Sequence, residues 1–165
     1  MLIRNNNQII TLTPLNVASF SFYDKKLKTT RKFYSLHIAS SEGGYARKQF
    51  IEVQYESPYI ALLSREFKEI DDIFSTSHNK IQSNTLPVQE RYLLSPKSNK
   101  ATLINRLYRG VISNRGIRTK KEVYSFFGNL KEPMKKYIKQ QGLSFIKVED
   151  LIKILKHFTY LKEKE

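Results

Sequence analysis

Cysteine is absent from this 165-residue chain, which excludes disulfide scaffolds, thiol nucleophiles and thiolate metal sites together. No run of about 18 apolar residues occurs, so the sequence predicts no membrane-spanning helix. Behind Met1, the segment Leu2-Ile3-Arg4-Asn5-Asn6-Asn7 lacks the apolar stretch that a secretory signal needs. Two compartments fit this start. The chain is periplasmic or envelope-associated if an export signal was trimmed ahead of Met1, and cytoplasmic otherwise. A cysteine-free chain suits either.

Catalytic signatures are equally sparse. No Gly-x-Ser-x-Gly elbow is present. Gly43-Gly44 is followed by Tyr45-Ala46-Arg47 and a strand pattern instead of the Lys-Ser/Thr and helix of a phosphate loop, which makes it a hairpin turn. His37, His78 and His157 are isolated from one another in sequence and read as structural. The segment Glu66-Phe67-Lys68-Glu69-Ile70-Asp71-Asp72 has neither the odd-numbered spacing nor the glycine of a calcium loop, and reads as a solvated turn. No catalytic residue, metal site or cofactor is assigned, and the chain is not expected to be an enzyme.

What the chain has in excess is positive charge. Lys and Arg number 29 against 15 acids, a net +14. Residues 1–96 carry 12 cations and 9 anions; residues 97–165 carry 17 and 6. The run Arg91–Lys121 holds nine cations and no acid. Such a field attracts anionic partners in general, whether nucleic acid, acidic polysaccharide or membrane surface. Within it, Arg106, Arg109, Arg115, Arg118, Lys120 and Lys121 alternate with small residues and with Gly110 and Gly116. Arginine can grip an oxyanion through two parallel hydrogen bonds, and glycine lets the backbone approach it. These six residues are the candidate anion-binding set; an ordinary solvated basic loop is the competing reading.

Hydropathy patterning predicts strands first. Gln8–Leu12 precedes the break at Pro14, and Val17–Tyr23 alternates Ala18, Phe20 and Phe22 against Ser19 and Ser21. Asp24–Arg31 reads as a loop and Lys32–Ile38 as a strand. Lys48–Tyr55 and Tyr59–Ser64 form a hairpin through Ser57-Pro58. Asp71–Thr85 is polar and reads as irregular; Arg91–Leu94 and Thr102–Leu107 are short late strands. After Thr119 the period lengthens to about 3.6. Thr119-Lys120-Lys121-Glu122 has the form of a capping box, and the helix it opens stops at Gly128. A second helix runs from about Lys131 to Gly142, with Pro133 in its first turn. A third spans about Lys147–Leu161 with Val148, Leu151, Ile152, Leu155 and Phe158 in one stripe. Strands followed by segregated helices predict an α+β fold: one domain over 1–165, an antiparallel sheet or small open barrel over 1–107, and about three helices over 119–161. The twenty Phe and Tyr fall mostly on these stripes and read as core.

The wording of the chain resembles a known group. Thr13-Pro14-Leu15-Asn16-Val17-Ala18-Ser19-Phe20, Phe33-Tyr34-Ser35-Leu36, Phe50-Ile51-Glu52-Val53-Gln54, Ile60-Ala61-Leu62-Leu63 and Lys147-Val148-Glu149-Asp150-Leu151-Ile152-Lys153-Ile154-Leu155 resemble secreted or envelope proteins of Bacteroidetes bacteria. In that group a strand-rich half precedes a short helical tail, and no biochemical activity is assigned. The resemblance implies an extracytoplasmic location and this architecture, and leaves the activity unnamed. Together with the charge it leads to the expectation of a non-catalytic extracytoplasmic binding or structural module whose partner is an anionic polymer or envelope component. The alternative is a basic nucleic-acid-binding protein acting through Arg106–Lys121.

Overall fold

The structure, a computed structural model, describes residues 2–5, 8–38, 46–75, 80–96, 100–108, 111–112 and 120–165, with side chains over 8–38, 46–68, 85–96, 101–108 and 123–165. The fold is α+β: antiparallel strands in chain order, then three helices. Contacts divide the chain into two compact units, Met1–Val53 and Gln54–Glu165. The division does not fall between strands and helices, because the helices pack on strands of the second unit.

In the first unit, β1 (Leu2–Asn5) and β2 (Gln8–Thr11) form a two-stranded sheet of their own. Strand β3 (Ser19–Asp24) pairs with β4 (Thr29–Ile38), which pairs in turn with β5 (Arg47–Glu56). The predicted loop Asp24–Arg31 is shorter than its charges suggest. Asp24 Oδ1 accepts from the backbone N–H groups of Lys26 and Leu27, at 3.0 and 3.1 Å, and Lys28 takes a left-handed φ of 51°. That closes a tight turn and lets β4 begin at Thr29. On one face, Phe20, Phe22 and Phe33 lie nearly parallel, Phe20 and Phe33 at 4.9 Å, with Phe50 edge-on to Phe20. Alternation places Ile51 and Ile38 on the other face, where both are buried.

The second unit takes up the chain at Gln54. The Ser57 backbone N–H donates to the Ile60 carbonyl at 3.0 Å, turning the chain into β6 (Ala61–Ser75). Strand β6 pairs along its whole length with β7 (Lys80–Ser95), from Ala61↔Leu94 to Ser75↔Lys80. Here the structure corrects the sequence. Glu66–Asp72 is strand, not a solvated turn, and the described part of Asp71–Thr85 is ladder, not irregular chain. Ladder hydrogen bonds join backbone to backbone whatever the side chains, so a hairpin can run through polar residues without leaving an alternating apolar pattern. Pro87 faces Lys68 on β6, and described pairing of β7 with β8 (Lys100–Tyr108) starts only at Val88, so Pro87 stands where a missing N–H costs least. A register shift between Arg91↔Asn105 and Tyr92↔Leu103 leaves Ile104 of β8 as the extra residue of a bulge, and β8 is followed by β9 (Val111–Ile112).

The helices are α1 (Lys120–Ser125), α2 (Lys131–Gln140) and α3 (Val148–Lys162), with a 3-10 turn at Gly128–Leu130. The Thr119 end of the predicted capping box lies outside the described residues. Gly142, at φ 61°, ends α2: Leu143 N–H reaches the Ile138 carbonyl at 3.0 Å and Gly142 N–H the Lys139 carbonyl at 3.3 Å, the double bond of a Schellman stop. The core of this unit joins Ile60, Leu62, Leu93 and Ile104 of the sheet to Val123, Phe127, Met134, Ile138, Leu151, Ile154, Leu155 and Phe158 of the helices. The expected burial of Leu151, Leu155 and Phe158 is observed. Ile154 is also fully buried, while Val148 and Ile152 are only partly so, which rotates the buried arc of α3 by about one position.

Candidate functional site

Cross-strand register builds a charged row inside the second unit. Arg65 on β6 faces Glu90 on β7, and Glu90 faces Arg106 on β8. Glu90 is 1% exposed. A carboxylate so buried needs charge and hydrogen-bond partners. Arg65 Nη2 lies 2.5 Å from Glu90 Oε2, Arg106 Nε lies 3.6 Å from Oε1, and the Tyr92 hydroxyl donates to Oε2. One row further along, Phe67 carries the Arg65 guanidinium at 4.3 Å from its ring centre and the Arg106 guanidinium at 5.9 Å; Tyr108 also packs on Arg106 at 5.2 Å. Burial, and then the Glu90 carboxylate, push the Tyr92 hydroxyl well above its ordinary pKa. The hydroxyl therefore stays protonated and donates. A group held in that state serves as a fixed donor and not as a base.

A second pair points to the helices. Arg91 and Asn105 face each other across β7 and β8. Arg91 donates through Nη1 to the Ile146 carbonyl and through Nη2 to Gln89 Oε1 at 2.7 Å, while Asn105 Nδ2 donates to the Phe145 carbonyl. These two side chains clasp the segment that enters α3. Burial lowers the Arg91 pKa, against the opposing charges of Glu149 and Glu66.

Of the six predicted anion-binding residues, the described side chains include only that of Arg106. Arg106 is interior and engaged with Glu90, where the sequence groups it with a basic loop. Arg109, Arg115 and Arg118 lie outside the described residues, and Lys120 and Lys121 are described as backbone of α1 only. Among the exposed cations are Lys136 and Lys139 on α2 and Lys153 and Lys156 on α3, two pairs at i,i+3 spacing. Beside them, the His157 ring stacks on Tyr137 at 3.7 Å, and burial lowers its pKa. His37 is exposed on β4, and His78 lies outside the described residues. Among the described residues no group of three His, Cys, Asp or Glu could hold a metal ion. Nor is any helix among them long and apolar enough to cross a membrane.

In the first unit, Arg31 is half-buried between two carboxylates. Its Nε and Nη2 donate to both oxygens of Glu52, each at 2.7 Å, and Nη1 lies 3.5 Å from Asp24. The guanidinium also covers Phe22 and Phe33. Its pKa is raised, first by the Glu52 hydrogen bonds. Neither this fork nor the Glu90 row is visible as a motif, because each is assembled by strand register. Comparison with protein-family models, curated proteins and solved structures finds no match.

Proposed function

We propose that this protein is a non-catalytic, extracytoplasmic binding module that engages an anionic polymer or anionic envelope component through the lysines of α2 and α3. The observation that carries this reading is how the second unit divides its cations. Arg65, Arg91 and Arg106 are turned inward, two of them against Glu90 and the third on backbone carbonyl and amide oxygens. Lys136, Lys139, Lys153 and Lys156 stand in solvent. Lysine is a hydrated point charge on a flexible stem, suited to an extended anion and indifferent to bidentate geometry. The net +14 adds a long-range attraction. The resemblance to envelope proteins supports the compartment.

The test is a salt titration of binding to heparin, duplex DNA and single-stranded RNA in parallel. We expect retention of all three at low salt, with heparin and DNA competing about equally and binding fading by about 0.15 M salt, where the Debye length is about 8 Å. Replacing Lys136, Lys139, Lys153 and Lys156 with Gln should remove most of the retention. Submicromolar binding to one nucleic acid at that salt, with a clear preference over heparin, would install a nucleic-acid-binding function instead.

A further inference from the structure

Strand β3 is an open edge. It pairs with β4 on one side, and among the described residues nothing pairs with the other; the β1–β2 hairpin is a separate sheet. Which backbone groups face outward follows from one hydrogen bond. The Ser35 N–H donates to the Ala18 carbonyl at 2.8 Å, so Ala18 and Ser35 form a hydrogen-bonded pair just before the Ser19↔Tyr34 rung. Such pairs alternate along an antiparallel ladder. Phe20, Phe22 and Asp24 therefore spend their backbone groups on β4, and Ser19, Ser21 and Tyr23 aim theirs away from the sheet. On the two faces of the strand, the side chains of Ser19, Ser21 and Tyr23 are exposed and those of the two phenylalanines are half-buried. Proteins blunt such edges with lysine, proline or a bulge. Ser19-Phe20-Ser21-Phe22-Tyr23 contains no lysine or proline, and its register with β4 is unbroken.

We propose that β3 is the interface of a homodimer, two copies pairing antiparallel about a two-fold axis through Ser21. In that register Ser21 faces Ser21 of the second copy and Ser19 faces its Tyr23. Every outward N–H then meets an outward C=O, giving about six hydrogen bonds across the seam, whereas a shift of register in either direction forfeits some. Phe20 falls opposite Phe22 of the second copy, which continues the row of near-parallel rings Phe33, Phe20 and Phe22 across the axis. The strand is thus self-complementary, as an isologous interface requires.

Charge selects the same occupant. A chain at +14 repels itself over most of its surface. Asn5–Asp24, however, is its longest stretch without Lys or Arg. Antiparallel pairing sets the two Lys25–Lys28 turns at opposite ends of the seam, each beside the cation-free segment that precedes β3 in the other copy. The exposed apolar residues match as well. Leu15, 78% exposed, precedes the strand and Leu27, 60% exposed, follows it, so each Leu15 comes to the end occupied by Leu27 of the other copy. Tyr23, also 60% exposed, is drawn into the seam.

Sedimentation equilibrium of the full chain from about 5 to 500 μM, in about 0.3 M salt so that screening falls inside about 8 Å, tests this. A single-strand seam is a small interface, so we expect a monomer–dimer equilibrium with a micromolar Kd. Ser21→Pro deletes an N–H that the β3–β4 ladder does not use, at an edge where proline is accepted. It should weaken the dimer at least tenfold with the far-UV spectrum and Tm unchanged. Should that variant fail to fold, position 21 offers a second route. Ser21→Lys and Ser21→Glu should each be monomeric alone and form a heterodimer when mixed, because the two-fold sets residue 21 against itself. A wild-type chain that stays monomeric throughout, a dimer that survives Ser21→Lys or a well-folded Ser21→Pro, or a Lys/Glu mixture that yields no heterodimer would overturn the proposal.

Discussion

Replacing Glu90 with Gln isolates the price of one buried charge, because the side chain keeps its shape and a carbonyl that the Tyr92 hydroxyl can still reach. What it loses is the countercharge for Arg65, 2.5 Å away, and for Arg106, 3.6 Å away. Breaking one side of a buried ion pair costs about 3–5 kcal/mol, since the remaining charge stays out of water without its partner. Against a total stability of about 5–15 kcal/mol this is a large share. With a urea slope of about 2 kcal/mol/M, the unfolding midpoint should fall by about 1.5–2.5 M. Tyr92→Phe should cost less, about 1–2 kcal/mol, because Oε2 retains Arg65. A triple replacement, Glu90→Leu with Arg65→Met and Arg106→Met, should recover most of the loss, as apolar substitutes for a buried charged cluster often do. Urea melts followed by circular dichroism measure all three. A loss below about 0.5 kcal/mol for Glu90→Gln, the range of ordinary surface changes, would refute the argument that the row is closed to water.

Two further outcomes follow from the helical part. Leu155→Ala should cost about 2–5 kcal/mol in the same melts, because Leu155 is enclosed between sheet and helices and leaves a cavity; a loss below about 0.5 kcal/mol would place that face of α3 against solvent. Burial lowers the His157 pKa in the folded chain, so its contribution to stability is complete above its unfolded pKa of about 6.5 and is lost as pH falls through the lower folded value. The urea midpoint should accordingly drop between about pH 7.5 and pH 5.5, and His157→Gln should flatten that slope; an unchanged slope would mean the ring is hydrated despite its stacking on Tyr137.

The helices were legible because burial on one side of a 3.6-residue period writes itself into sequence. Leu151, Leu155 and Phe158 announce α3, and Gly142 announces the end of α2 through a conformation that few other residues adopt. Strand existence was legible wherever alternation accompanied it, as in Ser19–Asp24 and Arg47–Glu56. The long β6–β7 hairpin was not, since polar cross-strand partners such as Lys68 and Pro87 carry no period. The candidate site was hidden for a related reason. Glu90 and Arg91 are adjacent charged residues on a strand buried on both faces, a setting that usually reads as a continuous apolar run. The partners of Glu90, Arg65 and Arg106, stand 25 residues before it and 16 after it, distances that only strand register converts into contact. Sequence alone accordingly groups Arg106 with its chain neighbours.

The chain-order arrangement of the strands has a consequence for how the protein is made. Each strand of β6–β8 finds its partner next to it in sequence, so these hairpins can close as they are synthesised, over short loops with small entropic cost. The apolar face they assemble is another matter. Ile60, Leu62, Leu93 and Ile104 are covered by residues 123–158, all of which come later in the chain, and Tyr55 waits for Thr159, 104 residues on. At synthesis rates of about 5–20 residues per second, that face stands open for several seconds after β8 is complete. The nascent sheet is therefore most adhesive just before its own helices arrive to cover it.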